Sequence, residues 1–310
     1  MAKDLCRRML VSVYIPTKNR LALLKRAVES VLAQTYAPIE LVVADDGSTD
    51  GSREYLAQMQ AAGRLKAVFL PVSMGACVAR NLAISQASGT FVTGLDDDDY
   101  FTSDRIEKFV AAWEKAAGEG RVLAGVFDSV CEVRPHGRSI RRTRTAVSAE
   151  ELRRSGLVGN QLFSLREYYI GAGLFDPAMP IWQDWDLWVR IGKAYGDFVG
   201  LNASTYIIDA AHDYNRITRK PGFMVRHGVN MYLHKHGPFT ASQRAAILVS
   251  MAGYPQVRLS AMELALLLGT GNLMALSKYA VRRTFGDNAY EKLKFATVLS
   301  SGRRVSSGAE

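Results

Sequence analysis

The sequence predicts an α/β protein in which a mostly parallel sheet is flanked by helices and followed by a helical C-terminal region. Three observations carry that prediction. Short β-branched apolar runs alternate with amphipathic helical segments over about the first hundred residues. Polar or acidic clusters follow the first, second and fourth of those runs, where the strand ends of a parallel sheet hold ligands. After Tyr206 the chain reads as one loop and then helical segments to its end.

Leu10–Ile15 is a buried strand closed by Pro16. Leu21–Gln34 follows as a helix, with Leu24, Ala27, Val28, Val31 and Leu32 at amphipathic spacing. Ile39–Ala44 is a second strand, and Asp45–Gly51 supplies turn glycines and N-cap candidates for a helix through Met59. Ala67–Leu70 reads as a third strand, Gly75–Ala87 as a third helix and Thr90–Leu95 as a fourth strand running into Asp96–Asp99. From about Arg121 the pattern loosens. A strand over Leu123–Cys131 leads to a basic stretch, Arg134–Arg144, a helix near Ala149–Arg154 and glycine turns around Gly171 and Gly173. Trp182–Arg190 opens a helix ending near Gly196, and the loop after Tyr206 carries His212. The domain reading is therefore 1–220, with a first half over about 10–120 and a second over about 121–220, followed by a helical region over 221–310.

Composition narrows the class. With 310 residues, 48% hydrophobic and 22% charged, the chain can bury a core without a disulfide or metal staple. Cys6, Cys77 and Cys131 are odd in number and far apart, which favours a reducing compartment. The N-terminus lacks the apolar core of a secretory signal, and Ala261–Ala280 is too interrupted to span a bilayer, so a cytoplasmic protein is expected. The formal charge of +9 is concentrated. Arg134–Arg154 holds seven Arg against two acids, and the chain from Met251 onward holds eight Lys and Arg against four acids. Such patches suit an anionic partner, a membrane surface included, or a solvated loop and tail. No recognition helix, zinc-finger spacing or aromatic RNA motif accompanies them, so nucleic acid is not expected.

Neither a Gly-x-Gly-x-x-Gly fingerprint nor a P-loop follows the first strand, which argues against NAD and ATP chemistry. Four consecutive aspartates repel one another, and a divalent cation removes that cost. Oxygen-only ligands suit Mg²⁺ or Mn²⁺, usually held by one or two carboxylates together with substrate phosphates.

The segments Val11–Arg20, Val43–Asp50, Gly75–Ala83, Gly94–Asp99 and Gln183–Arg190 resemble the family 2 glycosyltransferases of GT-A fold, and bacterial polysaccharide enzymes among them. The resemblance covers roughly residues 10–220. It implies transfer of a sugar, with inversion, from a nucleoside diphosphate sugar (UDP, GDP or dTDP) to a glycan or lipid-linked acceptor. The setting it implies is synthesis of a bacterial surface polysaccharide such as O-antigen, core, capsule or exopolysaccharide, at the cytoplasmic face of the inner membrane.

By position, the resemblance places Pro16, Thr17 and Arg20 around the base and ribose, and Asp46 as an acceptor from either. Asp96 and Asp98 match the family's Asp-x-Asp, with Asp98 the metal ligand and Asp96 nearer the ribose or a metal-bound water. Asp99 contacts either the donor sugar or the acceptor, and Asp97 either serves the donor site or faces solvent. Arg80 and Asn81 resemble a donor-side pair. Asp184 falls where the family keeps its catalytic base, with Gln183 standing where a Glu is usual. Asp186 either caps the helix or touches the acceptor, while Trp182 and Trp185 offer a sugar an apolar face or simply pack. His212 sits where relatives place a late His near the metal and diphosphate. The basic C-terminal region is the expected membrane contact. The rivals are a sugar nucleotidyltransferase, which would want a glycine-rich loop that Pro16–Arg20 lacks, and a non-catalytic glycan- or lipid-binding protein.

Overall fold

The computed structural model describes residues 9–134, 137–159, 162–210 and 220–300, with backbone alone from 287 onward. It begins with the expected alternation: β1 (Val11–Thr17), α1 (Leu21–Leu32), β2 (Ile39–Asp45), α2 (Ser52–Ala61), β3 (Lys66–Phe69), α3 (Ala76–Gln86) and β4 (Phe91–Gly94). The first sheet runs β3-β2-β1-β4 with all pairs parallel, and Val13 lies opposite Leu41 on one side and Thr93 on the other. All seven residues of β1 are buried, as expected of a central strand covered on both faces. Leu24, Ala27, Val28 and Val31 of α1 supply part of that cover.

The rest of this unit departs from a single parallel sheet. A short strand, β9 (Ser164–Leu165), closes the first sheet antiparallel to β4. A second, mixed sheet runs β5-β10-β6-β7 through β5 (Tyr100–Phe101), β6 (Gly125–Arg134), β7 (Gly137–Arg141) and β10 (Phe198–Asp209), with β8 (Ala146–Val147) also pairing β10. Part of the basic stretch is thus a strand, Gly137–Arg141. Arg138 and Arg141 lie on an edge strand paired with β6. The twelve-residue β10 was hidden in the sequence because Gly200, Asn202, Ala203 and Ser204 interrupt its apolar alternation, and its register shifts between Leu201 and Tyr206.

Between these strands run α4 (Arg105–Gly118), α5 (Ala149–Arg154), α6 (Arg166–Gly171) and α7 (Gln183–Tyr195). At the start of α4, Arg105 is fully buried over the rings of Phe101, Phe109 and Tyr206 and donates to Thr205 at 2.9 Å. Its one ionic neighbour among the described residues is Asp128, at 3.9 Å, and burial holds its pKa down to about 10. A cation shielded in this way ties β5, α4 and β10 together.

The chain divides into two compact units: Met1–Leu152, Leu157–Pro177 and Gln183–His212 form the first, and Arg153–Gly156, Ala178–Trp182 and Asp213–Glu310 the second. The second unit contains α8 (Gly222–His236), α9 (Ala241–Ala252), α10 (Ala261–Gly269) and α11 (Leu273–Ser300), the last broken at Gly286. Capping boxes start α9 at Thr240 and α10 at Ser260, each paired with the residue three positions on, Gln243 and Glu263. Among the described residues no helix is long and apolar enough to cross a membrane.

Candidate active site

The site lies at the carboxyl ends of β1, β2 and β4. Its first two loops are stitched together: Asn19, held at φ 52, receives a hydrogen bond from the Thr49 amide at 2.7 Å and donates its own amide to Ser48 at 2.9 Å. Asp50 accepts the Leu21 amide at 2.9 Å, satisfying an otherwise open donor at the start of α1. After β2, the Asp46 carboxylate accepts from the Ser73 hydroxyl at 2.7 Å and from the Met74 and Gly75 amides at 2.6 and 3.1 Å. Asp46 therefore shapes the loop that leads into α3. Gly47 makes that approach possible, because a Cβ there would stand 2.9 Å from the Ser73 amide nitrogen.

The acidic loop alternates. Asp96 and Asp98 are partly exposed, whereas Asp97 and Asp99 are buried. Asp97 accepts from the Thr17 hydroxyl at 2.8 Å and from Arg20 at 2.9 Å, and so joins the end of β1 to the acidic loop. This corrects the solvent-facing alternative for Asp97. Arg20 also lies 3.2 Å from Asp98, while Arg26 donates to the Asp98 carbonyl at 2.7 Å. Asp99 receives the Asp209 amide at 3.1 Å and is bonded to Tyr206, whose oxygen also accepts the Asp96 amide at 3.2 Å. Burial pushes Asp97 up to about 6 against the pull of Arg20, with Asp98 adding to the rise. It lifts Asp99 well above the carboxylate range, with Asp96 and Asp98 adding to it.

Arg80, on α3, donates to Asp96 at 2.8 Å and lies over the Phe175 ring. Its neighbour Asn81 makes a two-way bond with the Phe175 backbone, donating to the carbonyl at 2.7 Å and accepting the amide at 2.9 Å. Arg190 grips the same loop through the Ala172 and Leu174 carbonyls and pairs with Asp186 at 2.8 Å. Asp186 is fully buried in this pair, so it positions the loop and presents nothing to an acceptor. Trp185 is also buried and donates to the Leu152 carbonyl at 2.6 Å, which makes it packing and not a sugar platform. In the second unit, Trp182 takes φ 58 and packs edge-on against Tyr232. Pro16 is buried within β1. His212 lies outside the described residues.

Asp184 stands in the first turn of α7, half-buried, and accepts the Trp185 amide at 2.8 Å. Burial pushes its carboxyl up to about 6, Arg80 pulls it down and Asp96 pushes it further up. The three groups therefore share one electrostatic environment. A carboxylate poised near neutrality beside a cation-anchored acidic loop can take a proton from a bound hydroxyl. Among the described residues no three His, Cys, Asp or Glu side chains converge as a metal cage. Asp96 and Asp98, partly exposed and each beside an arginine, are oxygen donors of the type a hard cation takes together with substrate phosphates.

The family profile described as "Glycosyl transferase family 2" matches residues 12–159. WcaA of Escherichia coli (strain K12), whose name assigns it to colanic acid biosynthesis as a glycosyl transferase, is 32% identical over 218 residues, covering 68% of this chain and 76% of WcaA. The chain belongs to glycosyl transferase family 2. Among solved structures, Staphylococcus aureus TarS 1–349 in complex with UDP-GlcNAc aligns with a TM-score of 0.64 at 15% identity, over 97% of this chain and 98% of that one. A mannosyltransferase of Pyrobaculum calidifontis in complex with GDP-Man and Mn²⁺ aligns with a TM-score of 0.51 at 19% identity, over 94% and 86%. The fold of this family 2 glycosyltransferase is GT-A, and the nucleotidyltransferase rival falls away.

Several residues of this glycosyltransferase site could not be read from the sequence. Tyr206 and Arg26 hold the acidic loop, and Arg190 holds the loop after α6. Arg26 and Arg190 sit on polar faces of amphipathic helices, where nothing in the spacing separates a positioning arginine from a solvated one. Tyr206 lies in the strand that the sequence concealed.

Proposed function

We propose that this glycosyltransferase moves one sugar from a nucleoside diphosphate sugar to a glycan or lipid-linked acceptor of a bacterial surface polysaccharide, with inversion at the anomeric carbon. The observation that carries the chemistry is Asp184, a half-buried carboxyl in the first turn of α7, pushed up to about 6 and in the electrostatic field of the Arg80–Asp96 pair. The Asp184 carboxylate accepts the proton of the acceptor hydroxyl as that oxygen bonds to the anomeric carbon. The bond from that carbon to the diphosphate oxygen breaks, and its electron pair leaves with the nucleoside diphosphate. Arg80, locked on Asp96 and permanently charged, fixes the donor side of the loop, and Thr17, Arg20 and Asp97 hold the rim of the nucleotide pocket. Asp98, with Asp96 beside it, would hold Mg²⁺ or Mn²⁺; when bound, the cation neutralises charge on the departing diphosphate. The WcaA relationship supports a surface-polysaccharide acceptor.

The test is thermal unfolding against UDP, GDP and dTDP compounds, each with and without Mn²⁺, followed by turnover with the donor so identified. The reading expects a metal-dependent rise in midpoint for one nucleotide class, lost in Asp98→Asn. It also expects Asp184→Asn to keep that rise and lose transfer. An Asp184→Asn enzyme with full turnover would remove Asp184 as the base.

A further inference from the structure

The second unit exposes large apolar side chains on two consecutive helices. Of the eleven large hydrophobic side chains exposed among the described residues, five lie on α10 and the first part of α11: Met262, Leu268, Leu273, Met274 and Phe285, each between 60% and 84% exposed. Helical periodicity gathers them. On α10 the exposed positions Ala261, Met262, Ala265, Leu268 and Gly269 form one contiguous stripe, while Leu267 turns inward. On α11 the exposed uncharged positions Leu273, Met274, Ser277, Ala280, Thr284 and Phe285 do the same, and the exposed Arg283 falls at the edge of that stripe.

The flanks of the α11 stripe are basic. Lys278 borders one side and Arg283 the other, and neither has an ion-pair partner among the described residues. From Ala261 to Gly286 the one acid is Glu263, and it is engaged by Arg226 at 2.6 Å. An uncharged apolar stripe bordered by cations is the pattern of a helix lying in a membrane interface, its apolar side chains in the acyl boundary and its cations among anionic headgroups. A spanning role is unavailable to these helices. A second copy of this chain is a poorer occupant, since a two-fold contact would set one basic flank against another.

We propose that the exposed face of α10 and the first part of α11 docks this glycosyltransferase on an anionic phospholipid surface. The inference deepens the proposed function by naming the surface that brings a lipid-linked acceptor to the enzyme, and its test does not pass through the donor site. Full-length protein is sedimented with vesicles of phosphatidylcholine alone or mixed equally with phosphatidylglycerol. Binding is expected on the mixed vesicles, weakened by salt, and about tenfold less on the neutral ones. The surface variants Met274→Glu with Phe285→Glu, and Lys278→Gln with Arg283→Gln, should each reduce binding by about tenfold. Both should keep the wild-type unfolding midpoint and the nucleotide response. Equal binding to both vesicles, or unchanged binding in either double variant, overturns the proposal. So does a dimer in sedimentation velocity that the Glu variant dissolves while vesicle binding persists. Loss of the nucleotide response with vesicle binding intact would count against the proposed function alone.

Discussion

The phenol oxygen of Tyr206 accepts the Asp96 amide at 3.2 Å and is bonded to the carboxylate of Asp99, so one side chain of the second sheet holds both ends of the acidic loop. Tyr206 is itself fixed by the buried guanidinium of Arg105 over its ring. Tyr206→Phe keeps the packing and removes both hydrogen bonds. We expect a loss of about 1–3 kcal/mol in stability by denaturant titration, with a weaker metal-dependent nucleotide response. A variant with wild-type values in both would mean that the loop holds its shape without the phenol.

Asp184 gives a pH dependence with a defined sign. As the base it must be ionised, so kcat/KM should climb as pH rises through about 6 and then level off. Asp184→Asn should lower kcat by about 10²–10⁴-fold and abolish that limb. Stability runs the other way. Because the folded-state carboxyl binds its proton more tightly than the unfolded one, stability falls as pH rises from about 4 to about 6. The Asn variant should therefore unfold at higher denaturant than wild type at pH 7.5, and the gap should close as pH falls through that window.

Asn81 clamps the Phe175 backbone in both directions across 94 residues of sequence. Asn81→Ala leaves a buried amide and carbonyl without those partners, a cost of about 1–3 kcal/mol. Since Phe175 also backs Arg80, the change should raise KM for the donor more than it lowers kcat, read from initial rates over a donor series.

Gly47 has φ 75, and its α-carbon approaches the loop that Asp46 holds. Gly47→Ala adds a Cβ against the Ser73 backbone in a left-handed conformation. We expect destabilisation of about 1–3 kcal/mol and loss of nucleotide affinity, measured by unfolding and by isothermal titration. An Ala variant indistinguishable from wild type would show that the loop yields without cost.

The first sheet was open to reading because its information is local. In β1 a continuous apolar run marks a strand covered on both faces, and in α1 the spacing of Leu24, Ala27, Val28 and Val31 marks one buried face. The acidic tetrad after β4 and the Gln183–Arg190 segment were visible as residue types at definite places in that order, which is enough to name a family and a candidate base. The second sheet was less open. Its central strand β10 carries a register shift and weak strand formers, and is held by pairing with β6, β5 and β8.

What the sequence by itself determined is which chemical groups stand at the ends of which strands, because backbone propensity and apolar periodicity are written within a dozen residues of each other. The tertiary structure alone decided what those groups do. It made Asp97 a brace for Thr17 and Arg20, turned Asp46 onto its own loop, paired Asp186 with Arg190 and set Asp184 in the field of Arg80 and Asp96. A carboxylate's role depends on its burial and on the charges within a few ångströms of it, and those neighbours come from segments far apart in the chain.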